Sequence, residues 1–344
     1  MNEKKNSATT REFNRVPPNF MCLVFCCVFA ALGSVIITPS LPVISHFFSI
    51  STDQSQLTVT VFLLGYAIGQ LLYGPMANRF GRVVTLKISL LIAIIGTILS
   101  IASSPFESFY TLLLGRFIEA VGCSGGLVIS FMMVNDYYSP EKAKGRFALL
   151  MVASSIVPAI GVFLGGVIAE YVNWQSCFYF LFFYNCLLYL LSLFLQETLE
   201  SKDMNALHFC HVLVNYMRVL VNRNLLVFGF MVGCSAAFIY VFTAEAPFIL
   251  IRYLGYSEGF YGVLAMIPPV GVLIGSLLMV RFFDRFTSQQ WIGLALLLDF
   301  IAILIFLITF SLHVINVYSL IIPVCVLYFG HGLIASTACS LFVL

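Results

Sequence analysis

Ten separate apolar runs, each long enough to cross a bilayer, dictate what this chain can fold into. They cover about 20–41, 54–77, 83–102, 109–132, 147–169, 177–195, 225–250, 259–280, 289–310 and 317–341. An α-helix rises ~1.5 Å per residue, so about 20 residues traverse the hydrocarbon layer with every backbone group bonded internally. Of the 344 residues, 61% are hydrophobic and 9% charged, against roughly 25% charged in a soluble domain. That excludes a water-soluble globule, and the chain reads as an all-α polytopic protein embedded in a lipid bilayer. A polar leader with Lys4, Lys5, Arg11 and Arg15 precedes the first run, as it would in a signal peptide. The length of that run and the nine spans behind it favour a first membrane helix instead.

Charge sets the orientation. With the N-terminus in the cytoplasm, fifteen of the seventeen Lys and Arg residues fall on that side, leaving Arg252 outside and Arg116 within a span. Basic residues resist translocation, so this asymmetry supports both the topology and the span count. The expected organisation is a cytoplasmic leader over 1–19, a six-helix bundle over 20–195, a linker over 196–224 and four helices over 225–344. Nine of the ten cysteines, Cys339 among them, lie in apolar runs and read as packing residues rather than disulfide partners. His208, Cys210 and His211 in the linker are near-consecutive and fit an amphipathic surface helix better than a metal site. No phosphate-binding Gly-Lys-Ser loop and no nucleophile elbow occurs, so neither an enzyme nor an ATP-driven pump is expected, and no cofactor, metal or nucleic-acid partner.

At a shift of 206 residues, GYAIGQLLYGPMANRF from Gly65 aligns with GVLIGSLLMVRFFDRF from Gly271, and seven of the sixteen positions are identical. Six helices separate the copies, so the two halves share one orientation. Parallel repeats around a midplane site are a known transporter plan.

The stretch GPMANRFGRVV, Gly74 to Val84, resembles the loop signature of the major facilitator superfamily, with Gly74, Arg79, Gly81 and Arg82 matching and Asn78 standing where an acid is usual. Arg116 in LLLGRFIEAVG resembles the buried arginine of the fourth helix. PAIGVFLGG, with Pro158, Gly161, Gly165 and Gly166, is similar to the fifth-helix signature of antiporters, although Val162 replaces a proline. NWQSCFYF and the Glu197-Thr198-Leu199 ending are similar to the drug-resistance branch, particularly Bcr/CflA-type efflux proteins.

The resemblance implies a major facilitator fold of two parallel six-helix repeats. Ten of the twelve helices are expected here, since the 206-residue shift places a final helix near position 400. It implies a monomeric secondary transporter of the bacterial inner membrane, exporting small lipophilic or cationic drugs in exchange for protons by alternating access. A non-transporting remnant and a proton-coupled uptake permease remain the alternatives.

For the loop it implies a conformational latch made by Gly74, Asn78, Arg79, Gly81 and Arg82, with Asp136 as the acid that pairs with a loop arginine. Asn78 keeps hydrogen-bonding capacity and loses the charge. Gly74 is expected to let the second helix approach a neighbour, and the pair at Asp136, taken as exposed, to contribute ~0–1 kcal/mol.

Charges inside the membrane each require a reason. Arg116 and Glu119, three apart on one helix, share a face. They either neutralise each other or serve proton coupling, with Glu119 desolvated and easier to protonate. Glu245, before Pro247, is a candidate for cationic substrate or protons, or an interfacial carboxylate. Asp299 is expected in a buried polar contact, and His331 in packing or on the cavity. Phe238, Tyr240 and Phe242 suggest an aromatic cavity wall suited to lipophilic cations and drugs.

Overall fold

A computed structural model describes residues 17–282 and 285–343. Most of the leader and Asp284, which closes the second copy of the repeat, lie outside the described residues, as do the side chains of Lys144, Cys210 and Cys339. Among the described residues, ten helical segments are long and apolar enough to cross a membrane: Phe20–Phe47, Thr52–Phe80, Arg82–Ala102, Phe109–Tyr137, Gly145–Tyr171, Gln175–Ser192, Leu225–Tyr253, Glu258–Arg281, Ser288–Ser311 and Val317–Thr337. No strand occurs among the described residues.

Local chemistry explains where the helices start and break. The first span is interrupted rather than straight. Helix Phe20–Val35 gives way to a short 3-10 turn, Thr38–Ser40, and the helix Leu41–Phe47 carries the span six residues past its expected end. Pro39 and Pro42 occupy the first turns of these pieces, where a missing N–H would have no helical partner anyway. In the same way Pro268 and Pro269 reopen the eighth span after Leu264. Ser51 and Gln54 form a reciprocal capping box at the start of the second span. That span ends at Gly81, whose φ of +107° favours glycine, and Arg82 immediately begins the third. The linker forms a helix at Phe209–Val221.

The duplicated glycines act alike in both copies. A Cβ on Gly65 would lie 2.6 Å from the Phe117 carbonyl oxygen, and one on Gly69 2.7 Å from that of Val121, so the second span rests directly on the fourth-span backbone. Gly271 and Gly275 bring the eighth span against the carbonyls of Cys325 and Phe329 in the tenth, at 2.7 and 2.4 Å by the same measure. Lipid offers no hydrophobic drive between helices, so such close approach supplies the packing energy instead.

The first six spans meet the last four mainly at the end of the bundle opposite the Gly74–Val84 turn. There Val35 and Val162 join Ala246, Leu250, Tyr261 and Leu320 in one buried cluster. Gly166 admits the Glu258 carbonyl, Gly259 N–H donates to Glu170 Oε2 at 2.6 Å, and Arg252 Nη1 donates to Thr52 Oγ1 at 3.2 Å.

Candidate functional site

Below this closed end lies a cavity of about 250 Å³ between the two groups of spans. The fifth span contributes Met151, Ser154, Ser155, Pro158, Ala159 and Val162, and the first span contributes Val35. From the other group come Tyr240, Phe242 and Thr243 of the seventh span, Tyr261 and Pro269 of the eighth, and Tyr328 and His331 of the tenth. The wall is therefore aromatic and hydroxyl-bearing, the mix that gives a small-molecule site apolar contact with a few orienting polar groups. Ser235 Oγ stands 2.8 Å from His331 Nδ1 and donates its own hydrogen to the Val232 carbonyl at 3.0 Å.

The residues singled out in the sequence divide by position. Pro158, Tyr240, Phe242 and His331 line the cavity. Gly161 and Gly165 instead seat the fifth span on the first, against Val35 and the Ile36 carbonyl, and Gly166 seats it on the eighth. Helix continues through Pro158. Glu245 is exposed and lies off the cavity, and so does Phe238.

Arg116 and Glu119 form a fully buried pair behind the cavity wall, inside the first six spans. Arg116 Nη1 donates to Glu119 Oε2 at 2.9 Å and Nη2 to the Gly33 carbonyl at 2.8 Å, while the guanidinium lies 4.2 Å from the Phe62 ring centroid. Gly96 and Gly122 make room for this arrangement by bringing the third span onto the fourth-span backbone. Arg116 Nε and Glu119 Oε1 make no hydrogen bond among the described residues. Asp299 is also buried, against Gly330, but its Oδ1 finds no hydrogen-bond partner among the described residues, contrary to the polar contact expected of it.

The loop signature forms a third cluster. Arg82 Nε donates to Asp136 Oδ2 at 2.8 Å and Arg82 Nη1 to Asn78 Oδ1 at 2.7 Å. Arg79 Nη1 donates to Met204 Sδ in the linker. Two expectations need correction. A Cβ on Gly74 would meet nothing within 4 Å, so the close helix approach belongs to Gly65 and Gly69, earlier in the same span. The ion pair is not exposed, because linker and fourth span cover Arg82, leaving it 5% accessible.

Glu197 is the partner that sequence reasoning passed over. Its carboxylate accepts from the backbone N–H groups of Arg82 at 2.9 Å and Val83 at 3.1 Å, capping the third span. A carboxylate there satisfies free N–H groups and faces the positive end of the helix dipole. A Cβ at position 81 would collide with it, which gives Gly81 a second reason besides its φ. The signal was present in the Glu197-Thr198-Leu199 ending, since Thr198 Oγ1 also donates to Asp136 at 3.2 Å. Ser235, Tyr261 and Tyr328 carried no such signal among 16 tyrosines and many serines.

Comparison with known proteins agrees with this architecture. The chain is 26% identical over 336 residues to the chloramphenicol resistance protein CraA of Acinetobacter baumannii, covering 96% of this chain and 79% of that one. It is 22% identical to multidrug resistance protein D of Escherichia coli, covering 93% and 79%. An uncharacterized transporter of Rickettsia felis is 28% identical over 77% of this chain, and the match spans 64% of that relative's length, less than two thirds. Among solved structures, the partially occluded inward-open xylose transporter XylE from E. coli superposes with a TM-score of 0.73 at 16% identity, covering 98% of this chain and 84% of that one. At that identity the likeness speaks for the fold alone. The Major Facilitator Superfamily profile matches residues 23–343. This chain is a multi-pass membrane protein that belongs to the major facilitator superfamily.

Proposed function

We propose that this transporter exports small lipophilic or cationic compounds, drugs among them, in exchange for protons by alternating access. The observation that carries the reading is the cavity itself, shut at one end by the Glu170–Gly259 and Arg252–Thr52 contacts and walled by both groups of spans. Such a site is exposed to one side at a time if the six-span and four-span bundles rock about it. The names of the resistance-protein relatives support export of drugs. In this reading the N-terminus is cytoplasmic, residues 196–224 link the bundles, and the closed end faces outward.

The Arg116–Glu119 pair then sets the field behind the cavity and takes part in proton coupling, and Glu245 meets cations or protons near the outer mouth. Gly74, Asn78, Arg79, Gly81, Arg82 and Asp136 latch the cytoplasmic end. The carboxyl cap from Glu197 ties that loop to the linker, so the latch reports on how the bundles are joined.

Inverted membrane vesicles provide the test. An imposed proton gradient is expected to drive accumulation of chloramphenicol or tetraphenylphosphonium, with loss of the signal on adding a protonophore. Arg116→Ala is expected to abolish this flux while the protein still inserts. Accumulation of neither compound, or flux indifferent to the protonophore, would overturn the exchanger reading.

A further inference from the structure

On the cavity wall, His331 is held from behind by Ser235 in a way that simple packing does not require. Ser235 has a single hydroxyl hydrogen, and its Oγ lies 3.0 Å from the Val232 carbonyl with donor geometry. The same oxygen is 2.8 Å from His331 Nδ1. Both contacts are hydrogen bonds only if the serine donates to Val232 and the imidazole donates through Nδ1–H. A neutral histidine has one N–H, so its Nε2 is then a lone-pair acceptor.

His331 belongs to the cavity wall together with Tyr240 and Tyr328, whose rings offer apolar faces and whose hydroxyls offer polar edges. No carboxylate lines the cavity among the described residues. A cation bound at this pole would lose its hydration without gaining a counter-ion, whereas an uncharged donor would gain the imidazole lone pair.

We propose that the Ser235–His331 pair reads substrates. The serine fixes the tautomer, and His331 Nε2 accepts a hydrogen bond from a hydroxyl of an uncharged aromatic compound lying between Tyr240 and Tyr328. This narrows the exporter reading above and rests on it for the identity of the cavity as the transport site. His331 is the specificity-determining residue, and Ser235 is a positioning residue that acts through it.

The test is a substrate-and-variant cycle on the purified full chain in detergent. Equilibrium binding is measured for chloramphenicol, which carries hydroxyl donors, for its hydroxyl-acetylated derivative, which is bulkier but lacks those donors, and for tetraphenylphosphonium. Wild type is expected to bind chloramphenicol about tenfold more tightly than the acetylated form, the worth of one hydrogen bond that leaves a buried acceptor unmet when lost. In His331→Leu the two are expected to bind within about twofold of each other, and His331→Gln, which retains an acceptor, to restore part of the preference. Ser235→Ala, a milder change, is expected to shrink the preference without abolishing binding, which keeps the test decisive if His331→Leu does not fold. An acetylation penalty that is the same in wild type and Ser235→Ala or His331→Leu overturns the proposal, because bulk rather than the lone pair would then be sensed. So does failure of wild type to bind chloramphenicol, or tighter binding of tetraphenylphosphonium. Binding as expected with no flux in vesicles would remove the exporter reading and leave the site standing.

Discussion

The first six spans and the last four are built on the same packing scheme and filled with different chemistry. Gly65 and Gly69 sit on the fourth-span carbonyls of Phe117 and Val121 as Gly271 and Gly275 sit on those of Cys325 and Phe329. The corresponding residues are 206 apart in the glycine-bearing second and eighth spans and 208 apart in the fourth and tenth spans beneath them. Following that register, Arg116 and Glu119 correspond to Val324 and Leu327, Ala93 to Asp299, and Cys123 to His331. Backbone approach is thus what the duplication retains. Polar groups are free to differ, because each half needs only a matched surface between helices, whereas a cavity between halves needs unlike walls.

The comparison breaks most visibly at the buried ion pair. Arg116→Leu alone is expected to cost about 3–5 kcal/mol, since Glu119 would be left charged and unpaired in a dry site. Replacing both, as Arg116→Leu with Glu119→Leu, imports the apolar solution of the other half and is expected to recover most of that loss. Thermal unfolding in detergent, read as the difference between single and double variants, measures this. A double variant as unstable as the single would show that the pair holds the first six spans together by more than mutual neutralisation.

Gly69→Val and Gly275→Val form the next test. Each adds bulk where a carbonyl already lies under 3 Å from a Cβ, and overpacking of this kind costs about 1–3 kcal/mol. The two variants are expected to lose similar stability in the same unfolding assay. Marked inequality would mean that the shared glycines do not perform a shared job.

Asp299 sharpens the contrast in the opposite direction. Its first-half counterpart is Ala93, against which Gly122 packs as Gly330 packs against Asp299. Asp299→Ala is expected to stabilise the chain by roughly 1–3 kcal/mol, the cost of a buried polar group without a partner. A loss of stability would point to a hydrogen bond or proton held there in the membrane.

The smallest effect is expected at the loop. Glu197→Ala removes the cap from Arg82 and Val83 and should cost about 0.5–2 kcal/mol. The faster exchange of those amide hydrogens is the measurement that isolates it, and unchanged exchange would remove Glu197 from the cap.

The sequence alone settled the number of spans, the parallel repeat and the family, because a bilayer admits few backbone solutions and apolar length is read directly along the chain. It also exposed Arg116, Glu119 and the loop arginines, since any charge in a 9%-charged chain stands out. It misjudged Gly74 because close approach depends on which helix lies opposite, and it took the Arg82–Asp136 pair as exposed because the linker that covers it arrives from more than a hundred residues away. Tertiary structure alone decided which of many tyrosines face the cavity, that Glu245 does not, and that Ser235 reaches His331 across 96 residues. Helix rotation and the meeting of distant spans fix such matters, and hydropathy carries no record of either.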